Sequence, residues 1–157
     1  MSALKSVPSP ASADILARFA AGWRAGSAAE TEAAGAALAA ILPPEAVLAL
    51  HGELGAGKTT FVRGLARAWG ITQPILSPTF NYYLIYKGAR QLVHLDAYRL
   101  TRPADADSLL LEEFLESPGC LALEWPEKLG DRLPPGAWHF DFAAPAEHTR
   151  VITRRPQ

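Results

Sequence analysis

The sequence predicts an α/β fold: a sandwich with a central mixed sheet, parallel strands near its middle, an attached antiparallel hairpin, and helices on both faces. Three observations lead there. The run Gly52-Glu53-Leu54-Gly55-Ala56-Gly57-Lys58-Thr59 fits the phosphate-loop pattern G-x-x-x-x-G-K-[ST] without a mismatch. A short apolar run at 45–50 precedes it and a helical pattern at 60–69 follows, which is the strand, loop and helix order the motif needs. Further apolar or aromatic runs at 80–86, 91–96 and 120–123 read as strands separated by turn and helix signals. Together they describe a P-loop NTPase-like sandwich.

Taken in order, residues 1–13 are rich in Ser, Pro and Ala and read as a flexible tail ahead of a single domain over 14–157. Phe19, Ala21 and Trp23 alternate as in an edge strand, while Ile15, Leu16 and Phe19 also fit a short helix. Ser27 to Glu30 has the capping-box spacing S-x-x-E. The Ala-rich helix behind it, with Ala34, Leu38 and Leu42 in phase, ends at Pro43-Pro44 and is expected to pack on the sheet. In the helix after the loop, Phe61, Val62, Leu65, Ala66 and Trp69 share a face, Arg63 and Arg67 fall elsewhere, and Gly70 suits the C-terminal end. Residues 80–86 and 91–96 make an antiparallel hairpin around a turn at 87–90. A helix is expected over 105–116, with Leu110/Phe114 and Leu111/Leu115 four apart, stopped by Pro118-Gly119. Residues 120–123 form a continuous apolar strand, and 138–142 and 151–153 are short terminal strands.

Composition limits the function. The chain has 157 residues, 49% hydrophobic and 20% charged, which suits a folded domain with a sizeable core. A net charge of −1 gives no overall electrostatic case for nucleic acid or an anionic membrane. The single cysteine, Cys120, excludes an internal disulfide framework and suits a reducing compartment. No uncharged stretch approaches the roughly eighteen apolar residues of a membrane span. Pro8, Pro10 and Asp14 interrupt the region where a signal peptide needs an apolar core, so a cytoplasmic location is expected.

The chemistry of the loop follows from its residue types. Its glycines let successive N–H groups turn inward around an anion. Lys58 adds a positive charge that can reach phosphate, and Thr59 offers a hydroxyl to Mg²⁺. A nucleotide site also needs acid at the end of an apolar strand. Two are present: Asp96 ends Leu92-Val93-His94-Leu95-Asp96, and Glu124 ends Cys120-Leu121-Ala122-Leu123-Glu124. One can hold the metal and the other can orient or deprotonate water, and the sequence leaves open which does which. Ser77-Pro78-Thr79 is either a mobile loop that senses phosphate through Thr79 or a plain turn. Trp125 is either against a nucleotide or in the core, and Pro126 is expected to keep it extended. The histidines at 51, 94, 139 and 148 have no metal-ligand spacing and read as structural or surface residues, and Cys120 reads as an inert buried thiol.

The phosphate loop with Thr60, then Ser77-Pro78-Thr79-Phe80, His94-Leu95-Asp96-Ala97-Tyr98-Arg99-Leu100 and Leu123-Glu124-Trp125-Pro126 together resemble the bacterial TsaE (YjeE) family. Members are P-loop ATPases of the pathway that makes threonylcarbamoyladenosine (t⁶A) in tRNA. The resemblance spans about residues 27–142 and implies ATP or ADP with Mg²⁺ as ligands. It implies weak hydrolysis alone, stimulated by the partners TsaD and TsaB, with tRNA met through that complex and direct contact left open. By the same resemblance Gly52 to Gly57, Lys58, Thr59 and Thr60 bind phosphate and metal, and Ser77 and Thr79 belong to a switch-like loop. Asp96 and Glu124 serve metal and water, Lys58 supports the reaction, and Trp125 lies near the nucleotide. Tyr98 and Arg99 match the motif with a role in structure or at the partner interface.

The competing reading is a P-loop small-molecule kinase, although a strand hairpin takes the space where such enzymes usually carry an acceptor insert. A third is a nucleotide-gated binding module that barely hydrolyses. A G protein is disfavoured because the only asparagine, Asn81, is followed by Tyr-Tyr-Leu instead of the base-reading N-K-x-D.

Overall fold

The computed structural model describes residues 7–78, 82–109 and 111–157, with Phe114 described by its backbone alone. The centre of the fold is β2 (Glu45–His51), paired in parallel with β5 (Gly119–Glu124) on one side and β6 (Trp138–Ala146) on the other. Every residue of β5 is buried, as expected of a parallel strand covered on both faces. Beyond β5 lies β4 (Gln91–Asp96), again parallel, and β3 (Tyr83–Lys87) closes that edge as the antiparallel arm of the expected hairpin. On the far side β7 (Thr149–Arg154) and β1 (Trp23–Ala25) add antiparallel strands, so the sheet order is β1-β7-β6-β2-β5-β4-β3.

One face carries α1 (Pro10–Ala21), α2 (Ala28–Ala39) and α3 (Lys58–Ala68). They cover Leu48, Leu50, Leu92, Ala122, Phe140 and Ile152. Phe19 of α1, Phe61 of α3 and Phe140 of β6 are fully buried, with ring centroids 5.4 to 6.2 Å apart. The α2 start has half of the expected box: the Ser27 hydroxyl accepts from Glu30 N at 3.1 Å, while the Glu30 carboxylate accepts from Gly26 N, one residue before the cap. α2 packs on the sheet as expected and also lies closely against α3. A Cβ at Gly35 would lie 2.2 Å from the Phe61 carbonyl, and one at Gly64 would lie 2.0 Å from the Glu32 carbonyl. Two glycines therefore let the helix backbones touch.

The other face packs Val93, Leu95, Leu121 and Leu123 against Ala106, Leu109 and Leu129. Its cover departs from expectation. The helix anticipated over 105–116 is a 3₁₀ segment (Pro103–Leu109) followed by the single-turn α4 (Leu111–Phe114). Asp105 accepts from Arg102 N at 3.0 Å, and Ser108 Oγ donates to the Asp105 carbonyl at 2.8 Å, so polar side chains compete with a regular ladder. A second 3₁₀ segment (Pro126–Arg132) completes this layer. Leu110 and Phe80 lie outside the described residues, and nothing is described of the Phe114 side chain.

The N-terminal expectation also changes. Residues 10–13, anticipated within a flexible tail, begin α1: Ser9 accepts from Ser12 N at 3.2 Å and Pro10 occupies the first turn, where its missing N–H costs nothing. Ile15, Leu16 and Phe19 are helical, so the helix alternative holds; Phe19 and Ala21 are not in a strand, and the edge strand β1 begins only at Trp23. No helix among the described residues is long and apolar enough to cross a membrane.

Because Phe19 is wholly buried among three other aromatic rings, truncating it is expected to cost about 3–5 kcal/mol. Chemical denaturation of Phe19→Ala measures this. A loss below about 1 kcal/mol would mean that α1 is not part of the cooperative fold.

Candidate functional site

The loop between β2 and α3 is shaped by backbone that other residues resist. Gly55 and Gly57 have φ of +81° and +104°, in the left-handed region. A Cβ at Gly52 would lie 2.7 Å from the Phe142 carbonyl of neighbouring β6. Ala56 N closes a tight turn onto the Glu53 carbonyl at 3.1 Å. The helix begins at Lys58, two residues before the start read from periodicity, and Gly57 has no side chain to cap it. The first N–H groups of α3 therefore lack a side-chain acceptor, the condition under which a helix start receives an anion.

Lys58 turns back into the loop. Its side chain is buried, Nζ donates to the Gly52 carbonyl at 2.6 Å, and Nζ lies 4.1 Å from the centroid of the Trp125 ring. Burial lowers the Lys58 pKa, opposed by the charges of Glu124 and Asp96. Thr59 points the other way, its hydroxyl donating to Glu124 Oε2 at 3.0 Å.

The two acids arrive side by side. Asp96 pairs with Glu124 in the β4–β5 register, at the ends of both strands, and Ala97 N donates to the Glu124 carbonyl at 3.1 Å. Asp96 accepts from Tyr98 N at 2.9 Å. Burial raises its carboxyl above the ordinary value, and the Glu124 charge adds to this, against the pull of the Tyr98 N–H, His94 and Lys58. Burial would raise Glu124 too. There the hydrogen bond and charge of His94, the Thr59 hydroxyl and Lys58 outweigh it and hold the carboxyl below its usual range. The pair is thus pushed in opposite directions, which suits two different chemical tasks.

Trp125 corrects an expectation. It is left-handed, with φ 59° and ψ 50°, and not extended. It is the one non-glycine residue with positive φ among those described, at a cost of about 1–3 kcal/mol. Pro126 disfavours the right-handed helical region, and the chain must reverse at once into the following 3₁₀ segment; the left-handed turn does both. The reversal lays the indole against Lys58 and 5.1 Å from the Tyr98 ring.

Several cavities border the loop, and two bear on the predicted residues. One, of about 380 Å³, is lined by Glu53, Leu54, Ser77, Pro78, Asp96, Tyr98, Arg99 and Trp125. The other, of about 250 Å³, is lined by Ser27, Thr31, Gly55, Gly57, Thr60 and the β6–β7 turn with Arg150. Thr60 borders the second cavity, and Thr59 instead bonds Glu124. Thr79 lies outside the described residues.

Sequence reasoning missed three residues here. Thr31, 2% exposed on α2, and Arg150 of β7 border the second cavity, and no motif marks either. Arg150 Nη1 donates to the carbonyls of Ala146, Glu147 and Thr149 at 3.2, 3.0 and 3.1 Å, holding the turn closed. His94, read as structural or surface, is fully buried with Nε2 2.5 Å from Glu124 Oε2. Its signal was a polar residue inside the apolar run Leu92-Val93-His94-Leu95. The other residues set aside stay apart: Cys120 is buried with its thiol pushed up to about 12 by burial, and His51 stacks on His139. Of the nearby arginines, Arg63 donates to the Ile75 carbonyl, Arg67 pairs with Glu32 and Arg102 with Asp105.

Among the described residues no three His, Cys, Asp or Glu side chains gather as a metal cage. The donors present are a hydroxyl and two carboxylates, all oxygen, the set that suits a hard divalent cation completing its shell with phosphate and water.

Comparison with known proteins agrees with this architecture. The family model "Threonylcarbamoyl adenosine biosynthesis protein TsaE" matches residues 25–152. The tRNA threonylcarbamoyladenosine biosynthesis protein TsaE of Bacillus subtilis is 39% identical over 132 residues, 83% of this chain and 82% of that protein. Its namesake from Treponema pallidum is 35% identical over 127 residues, 81% and 94% of the two chains. The crystal structure of Bacillus subtilis YdiB superposes with a TM-score of 0.70 at 33% identity, covering 85% of this chain and 82% of that one. With the family model spanning most of the chain and relatives of this identity along nearly their whole length, the chain belongs to the TsaE family.

Proposed function

We propose that this protein binds ATP with Mg²⁺ and hydrolyses it in the service of tRNA threonylcarbamoyladenosine biosynthesis, with TsaD and TsaB as partners and a cytoplasmic location. The observation that carries the reading is the junction of the phosphate loop with the acid-bearing strand: Thr59, the second residue of α3, bonded to Glu124 at the end of β5. Loop, hydroxyl and carboxylate are the parts a phosphoryl-transfer site needs. The pathway and partners rest on the family, whose named members are tRNA threonylcarbamoyladenosine biosynthesis proteins.

In this reading the loop N–H groups and Lys58 hold the β- and γ-phosphates. To do so Lys58 exchanges the Gly52 carbonyl for phosphate oxygen. Thr59 and Glu124, the ionised acid, hold the metal. Asp96, whose raised pKa makes it the better proton acceptor, orients and deprotonates the attacking water. Thr60 and the second cavity take the α-phosphate side, and Ser77, Pro78 and Trp125 border the γ-phosphate side. Mg²⁺ held by Thr59 and Glu124 would supply positive charge against the negative charge that develops on the phosphoryl group. Ser77 and Thr79 form the switch-like loop.

The decisive experiment is ATP turnover by the pure protein, alone and then with TsaD, TsaB and tRNA. Slow turnover that rises with partners is expected. Fast turnover indifferent to them, or phosphoryl transfer to a small metabolite, would support a kinase instead.

Four variants test the assignments. Lys58→Ala removes a charge-assisted contact worth on the order of 1.5–3 kcal/mol, so calorimetric ATP affinity should fall about ten- to a hundredfold with the fold intact. Unchanged affinity would refute the phosphate site. At saturating Mg²⁺, Asp96→Asn and Glu124→Gln should each depress hydrolysis much more than nucleotide affinity, because the interactions then lost belong mainly to the transition state. Wild-type turnover in either, measured with partners present, removes that residue from the reaction. Trp125→Phe should abolish most of the tryptophan fluorescence change on adding ADP or ATP with Mg²⁺ and keep most of the binding. A surviving signal would place the reporter at Trp23, Trp69 or Trp138.

A further inference from the structure

We propose that His94 is a positioning residue for Glu124: its Nε2–H ties down one carboxylate oxygen, Oε2, so that the other, Oε1, is the one presented to the metal and water. The inference rests on the nucleotide-hydrolysing reading above.

His94 sits where a packing residue would be expected. Its neighbours Leu92, Val93 and Leu95 are fully buried and apolar, and His94 itself has no exposed surface. An imidazole at such a place loses its hydration and must recover it from the protein. It recovers one bond. Nε2 lies 2.5 Å from Glu124 Oε2, and Nδ1 has no partner among the described residues. Leucine or phenylalanine would fill this space without stranding a polar atom. What histidine adds at this position is the contact with Glu124.

That contact has a direction. Oε2 also accepts from Thr59 Oγ1 at 3.0 Å, so two donors converge on one oxygen from β4 and from α3. Oε1 takes no hydrogen bond from any described residue. A carboxylate held at one oxygen from two elements cannot rotate freely, and its remaining oxygen has a set orientation. Strand geometry explains how the histidine reaches it. His94 is paired with Ala122, two residues before Glu124, and is itself two residues before Asp96. With side chains alternating, His94, Asp96, Ala122 and Glu124 all lie on the α3 side of the sheet. The spacing His-x-Asp on one strand therefore delivers both a water-side acid and the residue that steadies the neighbouring strand's acid.

Gln and Asn separate positioning from packing. The Gln amide nitrogen can reach about as far as Nε2, whereas the Asn amide stops at the position of Nδ1. His94→Gln should keep turnover, with partners present, within about threefold of wild type. His94→Asn and His94→Leu should lower it about ten- to a hundredfold, the range for loss of a residue that orients a metal ligand. The Mg²⁺ concentration that half-saturates the calorimetric enhancement of ATP binding should rise by a similar factor in Asn and Leu but not in Gln. ATP affinity without Mg²⁺ should stay within about threefold in all of them. In the Glu124→Gln background, exchanging His94 for Leu should leave the Mg²⁺ requirement unchanged. If Leu does not fold, the Gln–Asn comparison decides alone. Equal behaviour of Gln and Asn, or a Leu effect that persists beside Glu124→Gln, would overturn the inference and leave His94 as packing. Failure of the nucleotide reading itself looks different: wild type and Lys58→Ala would then bind ATP alike.

Discussion

The parallel pairing of β2 with β5 is the constraint on which the site depends. Leu50 stands opposite Glu124, so the loop leaves one strand at the level where the acid ends the other. Neither a disulfide nor any metal cage among the described residues holds this register. It is held by burial: Leu48, Ala49 and Leu50 face Ala122, Leu123 and Glu124, and the hydrophobic residues of that set are wholly out of solvent. A slip of one residue would turn every one of these side chains to the opposite layer. The same pairing continues into β4, where Asp96 meets Glu124. Three strand ends thus bring the loop, Glu124 and Asp96 to one level of the sheet.

The helix layer fixes the remaining coordinate, the height and angle of α3. Gly35 and Gly64 let α2 and α3 meet backbone to backbone, and Phe61, two residues beyond Thr59, is locked between Phe19, Phe140 and Phe142. Phe19 comes from α1, outside the region matched by the family model. This chain therefore uses residues beyond the shared family region to complete the packing behind its phosphate loop. The glycines tolerate no alternative for the reason they are there: a methyl group would sit inside the facing carbonyl's van der Waals radius.

What was legible in the sequence was what depends on neighbours in the chain. The loop motif, the helix cap at Ser27, the hairpin about 87–90 and the apolar strand before Glu124 are local patterns, and each has its expected structure. The misreadings involve competition between local and distant demands. Residues 105–116 have helical spacing, yet Asp105 and Ser108 bond their own backbone and break the run. Trp125 before Pro126 reads as extended, yet the chain must turn under the sheet within one residue. In the site, Asp96 and Glu124 could be picked out as strand-end acids. Their unequal environments could not, because Thr59 and His94 reach Glu124 from 65 and 30 residues away. Thr31 and Arg150 were invisible for the same reason.

Electrostatics around Lys58 set the character of the loop. Lys58 is 4% exposed, and its partners are a carbonyl oxygen and the face of an indole, both weaker acceptors for a cation than phosphate. The nearby acids raise its pKa but do not touch it: Glu124 is engaged by Thr59 and His94, and Asp96 by Tyr98 N. A direct Lys58–Glu124 ion pair would satisfy both charges and leave little gain for a phosphate. By occupying Glu124 from the other side, Thr59 and His94 keep that pair from forming. The strained backbone of Trp125 serves the same end, since the left-handed turn places the ring under Nζ as a neutral support. The lysine is held desolvated, oriented and under-bonded, and the cost of keeping it so is spread over a strained tryptophan, a stranded imidazole nitrogen, the buried carboxylate of Glu124 and the half-buried one of Asp96.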